Sequence, residues 1–323
     1  MAAHLDYRPA VTASRLARLT ALLTVLIVNT AAAFSQAPPS TTFKSGIDLV
    51  RVTAVVRDHK GRFVRDLSAR DFEILDGTAR RAILDFRSDS DGLSIALLFD
   101  VSGSMERRLP DAREAAGHIL SWLDERDEAA IFTFDTQLDE QLAFTRGLKA
   151  LPRSMSTMMP FGATSLHDAI AQTAERASHR DGRRRAVVVL TDGRDNASRL
   201  QPEDVSVLAS AIDVPVYIFG IVAPIDNPSE EIATASAGRS SLAGPLEELA
   251  ANTGGRAFTS SAPGQRSVAA RQLVDELRHQ YLIAFESSGN PGWHPLVVRT
   301  HEKSLVVRSR NGYIVGQSRP NAF

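Results

Sequence analysis

A carboxylate followed at i+2 and i+4 by hydroxyls, Asp100-Val-Ser102-Gly-Ser104, forms a compact set of oxygen donors. Further along, Thr164 stands in Phe161-Gly-Ala-Thr164-Ser and Asp192 in Thr191-Asp192-Gly193. Oxygen-only ligands suit hard cations, Mg²⁺, Mn²⁺ or Ca²⁺, rather than zinc or copper. Each piece also has an ordinary reading. Ser and Asp at strand ends commonly cap helices, and Ser165-x-x-Asp168 fits a capping box, which makes Thr164 on its own a better cap than ligand. Asp192-Gly193 on its own is a turn. The metal reading needs all the pieces, in order and on matching strand ends.

The elements around them supply that order. Residues 94–99 are a continuous apolar run, as expected of a parallel strand buried on both faces, and 130–134, 186–190 and 214–222 read the same way. Between them lie helical stripes: Ala112, Ala115, Ala116, Ile119, Leu120 and Leu123, with Pro110 near the start, then Leu166, Ala169, Ile170, Thr173, Ala174 and Ala177. Further helices are expected at 202–212, at 246–251 closed by Gly254-Gly255, and at 268–281. Strands alternating with helices define an α/β fold with a doubly wound, mostly parallel sheet. In such a sheet the tips after residues 99 and 190 lie on the ligand-binding edge, and the loop at 161–165 opens a helix on that same edge. Three loops thus bring Asp100, Ser102, Ser104, Thr164 and Asp192 to one side.

Asp100-Val-Ser102-Gly-Ser104 resembles the D-x-S-x-S signature of the metal-ion-dependent adhesion site (MIDAS) of von Willebrand factor A (VWA) domains. Gly162-Ala-Thr164 resembles that family's threonine loop, and Leu190-Thr-Asp192-Gly193 its second aspartate; all five positions are filled. The resemblance covers about residues 93–285. It implies that Ser102, Ser104 and Thr164 bind the ion directly, with Asp100 and Asp192 acting mostly through water. It also implies a divalent-cation-dependent protein-binding module, for adhesion or scaffolding, whose open coordination position takes an Asp or Glu carboxylate of a partner. Neutral hydroxyls leave most of the ion's charge unquenched, which favours an anionic incoming ligand.

The flanks have a β texture. Val50, Val52, Ala54 and Val56 alternate with polar neighbours, and Asp76-Gly77 signals a hairpin between 72–75 and 83–86. Strands are also expected at 296–299, 305–308 and 313–315. So few strands at each end suggest one small β-sandwich built by both chain ends, from 46–90 and 286–317, beside a VWA domain at 91–285. Leu67-x-x-x-Asp71-Phe-Glu-Ile-x-x-Asp76-Gly and Arg308-x-x-x-Gly312-Tyr313 resemble the exported bacterial VWFA-related family often found in acidobacteria. The connection 223–245, rich in Ser, Ala and Pro, exceeds ordinary loop length and is expected on the metal face, shaping partner choice.

Arg8, Arg15 and Arg18 precede an apolar run at 19–28 and the small residues 29–33, the pattern of a secretory signal peptide. The run is shorter than the ~20 residues a spanning helix needs. Cleavage is expected after Ala33, with Ala37 the alternative, and 34–45 reads as a linker. The expected location is periplasmic, cell-surface or secreted, with no transmembrane anchor after cleavage. The 323 residues contain no cysteine, which excludes disulfides and thiolate chemistry. With 37 basic and 38 acidic side chains, nothing favours nucleic acid as a partner, and the run Arg180-Asp-Gly-Arg-Arg-Arg185 reads as a solvated turn.

Enzyme readings find little support. There is no G-x-S-x-G elbow; Asp100-Val-Ser lacks the second aspartate of a D-x-D phosphatase; and Val101 stands where an aspartic protease needs Ser or Thr. His118, His167 and His179 have no second histidine at zinc-binding spacing, and His167 is expected to pack or face solvent. Two alternatives to the binding module remain: a metal-stabilised structural component of an envelope assembly, and a metal-assisted hydrolase.

Overall fold

Eight consecutive residues of strand β5 (Leu93–Asp100) are buried, because the strand runs through the middle of a six-stranded sheet covered on both faces. The computed structural model describes residues 49–88, 92–180, 183–211, 213–222 and 244–316, all within one unit, Ile47–Phe323. The expected signal peptide at 1–33, the linker at 34–45 and all but the last two residues of the long connection 223–245 lie outside the described residues.

The central sheet has the order β10-β9-β8-β5-β6-β7, with β6 at Glu128–Phe134, β7 at Leu138–Arg146, β8 at Arg184–Thr191, β9 at Val216–Ile221 and β10 at Ala257–Ser260. All neighbours are parallel except β7, which returns antiparallel on β6. β7 was not among the expected strands, since Asp139, Glu140 and Gln141 break its apolar alternation and it lies half exposed at the sheet edge.

Alternate residues of β5 feed two cores. Ile95, Leu97 and Phe99 meet α1 (Leu109–Ser121), Met155 of α2 (Ser154–Thr157) and the inner face of α6 (Pro263–Arg278). Ala96 and Leu98 meet α3 (Leu166–Ser178), α4 (Pro202–Ala211) and α5 (Gly244–Asn252). This is the doubly wound α/β arrangement expected. β5 connects through α1 to β6 on one side, while β8 lies on the other, so the topological switch falls between the tips of β5 and β8.

α5 ends in a Schellman motif. Gly254 takes φ 85° and donates to Ala251 O at 3.0 Å, and Gly255 donates to Ala250 O at 2.8 Å. Gly255 then passes so close to β9 that a Cβ would sit 1.9 Å from Val216 O. Gly255→Ala is therefore expected to push the helix away from the sheet and cost roughly 1–3 kcal/mol, read as a lower urea midpoint with an unchanged slope.

Both chain ends build a second layer pair beside this domain. β1 (Leu49–Arg57), β4 (Ile83–Arg87), β11 (Gln280–Glu286) and β13 (Val306–Ser309) form one antiparallel sheet, and β2 (Phe72–Asp76), β3 (Ala79–Arg81), β12 (Gly292–Thr300) and β14 (Gly312–Val315) the other. Their inner faces share one core, including Val52, Ala54, Ile74, Ile283, Phe285, Val298 and Tyr313.

Two boundaries differ from the sequence reading. The Asp76-Gly77 turn pairs β2 with β3, while 83–87 crosses to the opposite sheet and pairs with β11. The central domain ends before residue 285: α6 stops at Arg278, and Tyr281, Ile283 and Phe285 point inward at period two on β11, an inner strand of the sandwich sheet β13-β1-β11-β4. The helical stripe of 268–278 runs straight into that alternation without a glycine or proline between them, which hid the junction.

The basic run at 180–185 is also spent differently from a solvated turn. Arg180 makes two hydrogen bonds to Glu128, at 2.6 and 2.7 Å. Arg183 donates to Arg126 O at 2.6 Å, Arg185 to Ser178 O at 2.6 Å, and Arg184 to Ser88 O. These guanidiniums tie down the end of the sheet opposite the candidate site.

Candidate metal centre

At the tip of β5 the Asp100 carboxylate is wholly buried. Its Oδ1 accepts the backbone N–H of Ser102 at 3.0 Å, which folds the loop back over the strand, and its Oδ2 accepts the Thr191 hydroxyl at 2.7 Å. Thr191 Oγ1 in turn accepts the N–H of Gly193 at 3.0 Å, so one threonine locks both strand tips together. The side chains continue the chain of contacts. Ser102 Oγ lies 3.2 Å from Ser104 Oγ, and Ser104 Oγ donates to Asp192 Oδ1 at 3.3 Å. Asp100, Ser102, Ser104 and Asp192 therefore form one continuous polar cluster at the switch between β5 and β8.

Thr164 arrives on the neighbouring loop and is 2 % exposed. Gly103 donates to Gly162 O at 3.1 Å and Phe161 to Val101 O at 2.8 Å, holding 161–164 against the 100–104 loop. From the other side, Asn196 Oδ1 accepts the Thr164 N–H at 2.8 Å, and Thr164 O accepts the N–H groups of Asn196 and Ala197 at 3.0 Å each. No hydrogen bond joins the Thr164 side chain to the other four residues.

Its hydroxyl is not used as a helix cap either. Ser165 occupies the N-cap of α3 without a side-chain cap hydrogen bond, and Asp168 accepts the N–H groups of Arg199 and Leu200 instead of closing a capping box. The helix start is capped from outside: Ser198 Oγ and Asp195 Oδ2 accept the His167 N–H at 2.9 and 3.1 Å. His167 Nδ1 lies 3.2 Å from Asp195 Oδ2, so this histidine is bound into the cap.

Burial, reinforced by Asp192, pushes the Asp100 carboxyl up to about 6, against the lowering effect of the Ser102 and Thr191 hydrogen bonds. Among the described residues no ion pair to a basic side chain offsets that burial. Asp192 differs, because Arg108 Nη1 donates to its Oδ2 at 2.7 Å and Arg194 Nε lies 3.7 Å away. Among the described residues no three His, Cys, Asp or Glu side chains gather as a metal cluster, so an ion held here must draw on hydroxyls. Two buried carboxylates, one of them without a counter-charge, beside Ser102, Ser104 and Thr164 form a donor set that fits a hard divalent cation.

Sequence reasoning missed Thr191, Asn196 and Arg108. Thr191 adjoins Asp192 and could have been noticed as the residue facing Asp100 across parallel neighbours. Asn196 and Arg108 carry no signal short of the folded loops.

A doubly wound sheet with this hydroxyl-and-carboxylate cluster at its switch point defines a class of α/β domain. Residues 94–267 match the von Willebrand factor type A domain, and the chain belongs to that family. No curated protein matches the chain. Among solved structures, it resembles an aerotolerance-related membrane protein from Bacteroides fragilis with 20 % identity and a TM-score of 0.48, over 58 % of this chain and 98 % of that one. A von Willebrand factor type A protein from Catenulispora acidiphila is 12 % identical with a TM-score of 0.45, over 78 % and 76 % of the two chains. Proximal thread matrix protein 1 from the mussel byssus, described with a zinc-occupied MIDAS motif, is 19 % identical with a TM-score of 0.44, over 63 % and 50 %.

Proposed function

We propose that this chain is an exported, divalent-cation-dependent protein-binding module, in which Ser102, Ser104 and Thr164 hold the ion and Asp100 and Asp192 support it through water. The observation that carries the reading is the wholly buried Asp100 carboxylate, without a basic partner, in one cluster with Ser102, Ser104 and Asp192. Mg²⁺, Mn²⁺ or Ca²⁺ bound there would offer an open coordination position to a partner's Asp or Glu carboxylate. The chain's own part is to hold the donors still. Thr191 fixes Asp100, Asp100 fixes the Ser102 backbone, and Asn196 fixes Thr164.

Calorimetric titration with Mg²⁺ should show binding to wild type and none to Asp100→Ala or Ser102→Ala; a variant that titrates like wild type would defeat the site assignment. A pull-down from envelope and secreted fractions should then retain a protein on wild type in Mg²⁺ and lose it in chelator or with Asp100→Ala. Equal retention in all three would make the cluster a structural feature.

A further inference from the structure

The Asp192 side chain is 3 % exposed, and both of its oxygens are already engaged within the chain. Oδ1 accepts the Ser104 hydroxyl and the Arg194 N–H, each at 3.3 Å. Oδ2 accepts Arg108 Nη1 at 2.7 Å, and the same nitrogen lies 3.4 Å from Ser104 O. One guanidinium therefore touches two of the five residues assigned to the ion. Its place is not explained by the helix it precedes, because Arg108 is the N-cap of α1 without a side-chain cap hydrogen bond.

The other charges nearby count for less. Arg194 Nε is 3.7 Å from Asp192 Oδ2, but its side chain is 70 % exposed, so water and salt screen it. Glu106 and Arg107 are exposed in the turn after Ser104 and have opposite signs. Asp135, at the tip of β6, turns its Oδ1 to the Gln137 N–H at 3.0 Å. Within the cluster the ionisable side chains are Asp100 and Asp192, with one negative charge each, and Arg108, with one positive charge.

Resting on the cation-bridged binding proposed above, we infer that Arg108 is a counter-charge to the bound ion: it holds cation affinity down and leaves the loaded site with an excess positive charge for an incoming carboxylate. The guanidinium competes with the ion and its waters for Asp192 Oδ2, and it repels the ion directly. A divalent cation added to two carboxylates and one guanidinium leaves one positive charge; without Arg108 the same cluster is neutral. A cluster that quenches its ion fully holds the metal more tightly and attracts an anionic ligand less.

The test compares wild type with Arg108→Gln, Arg108→Lys and Arg194→Gln at pH 8. Glutamine keeps a donor for Asp192 without the charge, and lysine keeps the charge. In calorimetry Arg108→Gln should bind Mg²⁺ about tenfold more tightly than wild type. Arg108→Lys and Arg194→Gln should stay within about twofold of it. In the Mn²⁺-loaded proteins, followed by water-proton relaxation, acetate should displace bound water from wild type at about fivefold lower concentration than from Arg108→Gln. In chelator Arg108→Gln should unfold at a lower urea concentration than wild type, and saturating Mg²⁺ should close the gap; a purely structural loss would leave the gap open. Mg²⁺ binding by Arg108→Gln that equals or falls below wild type would overturn the inference and leave the cation site standing, with Arg108 only holding Asp192 in place. An identical acetate response in the two proteins would overturn it as well. A wild type that binds no Mg²⁺ would overturn the cation site and the inference together.

Discussion

In chelator at pH 8, Asp100→Asn is expected to be more stable than wild type by about 3 kcal/mol, and that advantage should vanish as the pH falls toward 4. The Asp100 pKa rises from 3.8 in the unfolded chain to about 6 in the fold. A carboxyl with a raised folded pKa adds no penalty while it is protonated, below 3.8, and loses stability progressively as pH climbs through 6. About two pKa units at 1.36 kcal/mol each set the size of the effect. Asparagine fits the same contacts, its Oδ1 accepting the Ser102 N–H and its Nδ2 donating to Thr191 Oγ1. The comparison must be between the two proteins at each pH. Glu276 and Glu128, whose carboxyls arginines hold below their usual range, make any version of this fold less stable in acid. Saturating Mg²⁺ should reverse the order, because wild type then recovers the cost of ionised Asp100 and the variant does not. Thermal or urea unfolding in chelator and in Mg²⁺, from pH 4 to 8, measures all of this. A variant less stable than wild type in chelator at pH 8 would mean that Asp100 is not held at a cost.

Glu276→Ala is expected to destabilise the fold by about 3 kcal/mol and to loosen the β-sandwich from the α/β domain. Glu276, on α6, is 1 % exposed and receives Arg308 of β13 and, at 3.1 Å, Arg57 of β1. Arg308 also donates to Gly255 O at 2.6 Å. Burial works against the Glu276 charge, but Arg308, the Tyr217 hydroxyl and Arg256 outweigh it and keep the carboxyl below its usual range. Removing one partner of a buried ion pair costs roughly 3–5 kcal/mol. The lower end applies here, since the Arg57 and Arg308 side chains are each 28 % exposed and can turn toward solvent. The two tryptophans offer a direct readout: Trp122 caps α1 in the α/β domain, and Trp293 of β12 lies over Gly312 of β14 in the β-sandwich. In wild type, fluorescence of the Trp122→Phe and Trp293→Phe proteins should report the same urea midpoint. Adding Glu276→Ala should lower both and separate them. Coincident midpoints in the two Glu276→Ala proteins would show that Glu276 does not couple the layers.

Much of this was legible before the fold. The runs at 94–99, 130–134 and 186–190 are uninterrupted apolar stretches because both faces of a parallel strand are covered, and they correspond to β5, β6 and β8. The stripe from Ala112 to Leu120 is the buried face of α1, and that from Leu166 to Ala177 the buried face of α3. Local sequence failed where the choice was not local. Asp76-Gly77 specifies a turn but not which strand returns, so 83–87 went to the other sheet. Arg180, Arg183 and Arg184 look like solvated charge until the carboxylate and carbonyls that engage them are brought alongside.

The same division holds at the candidate site. The spacing of Asp100, Ser102 and Ser104, and the strand tips that carry Asp100 and Asp192, follow from residue order and strand period, which the chain determines by itself. What only the tertiary structure decided is which groups are desolvated and which are answered. Asp100 lost its water without an ion pair among the described residues, whereas Asp192 met Arg108. Ser165 and Asp168 left their capping box because Asp195 and Ser198 arrived from another loop to cap α3. Phe161 stayed in solvent because its backbone was bonded to the 100–104 loop. Burial and charge compensation depend on groups distant in sequence, and only closure of the fold brings those groups together.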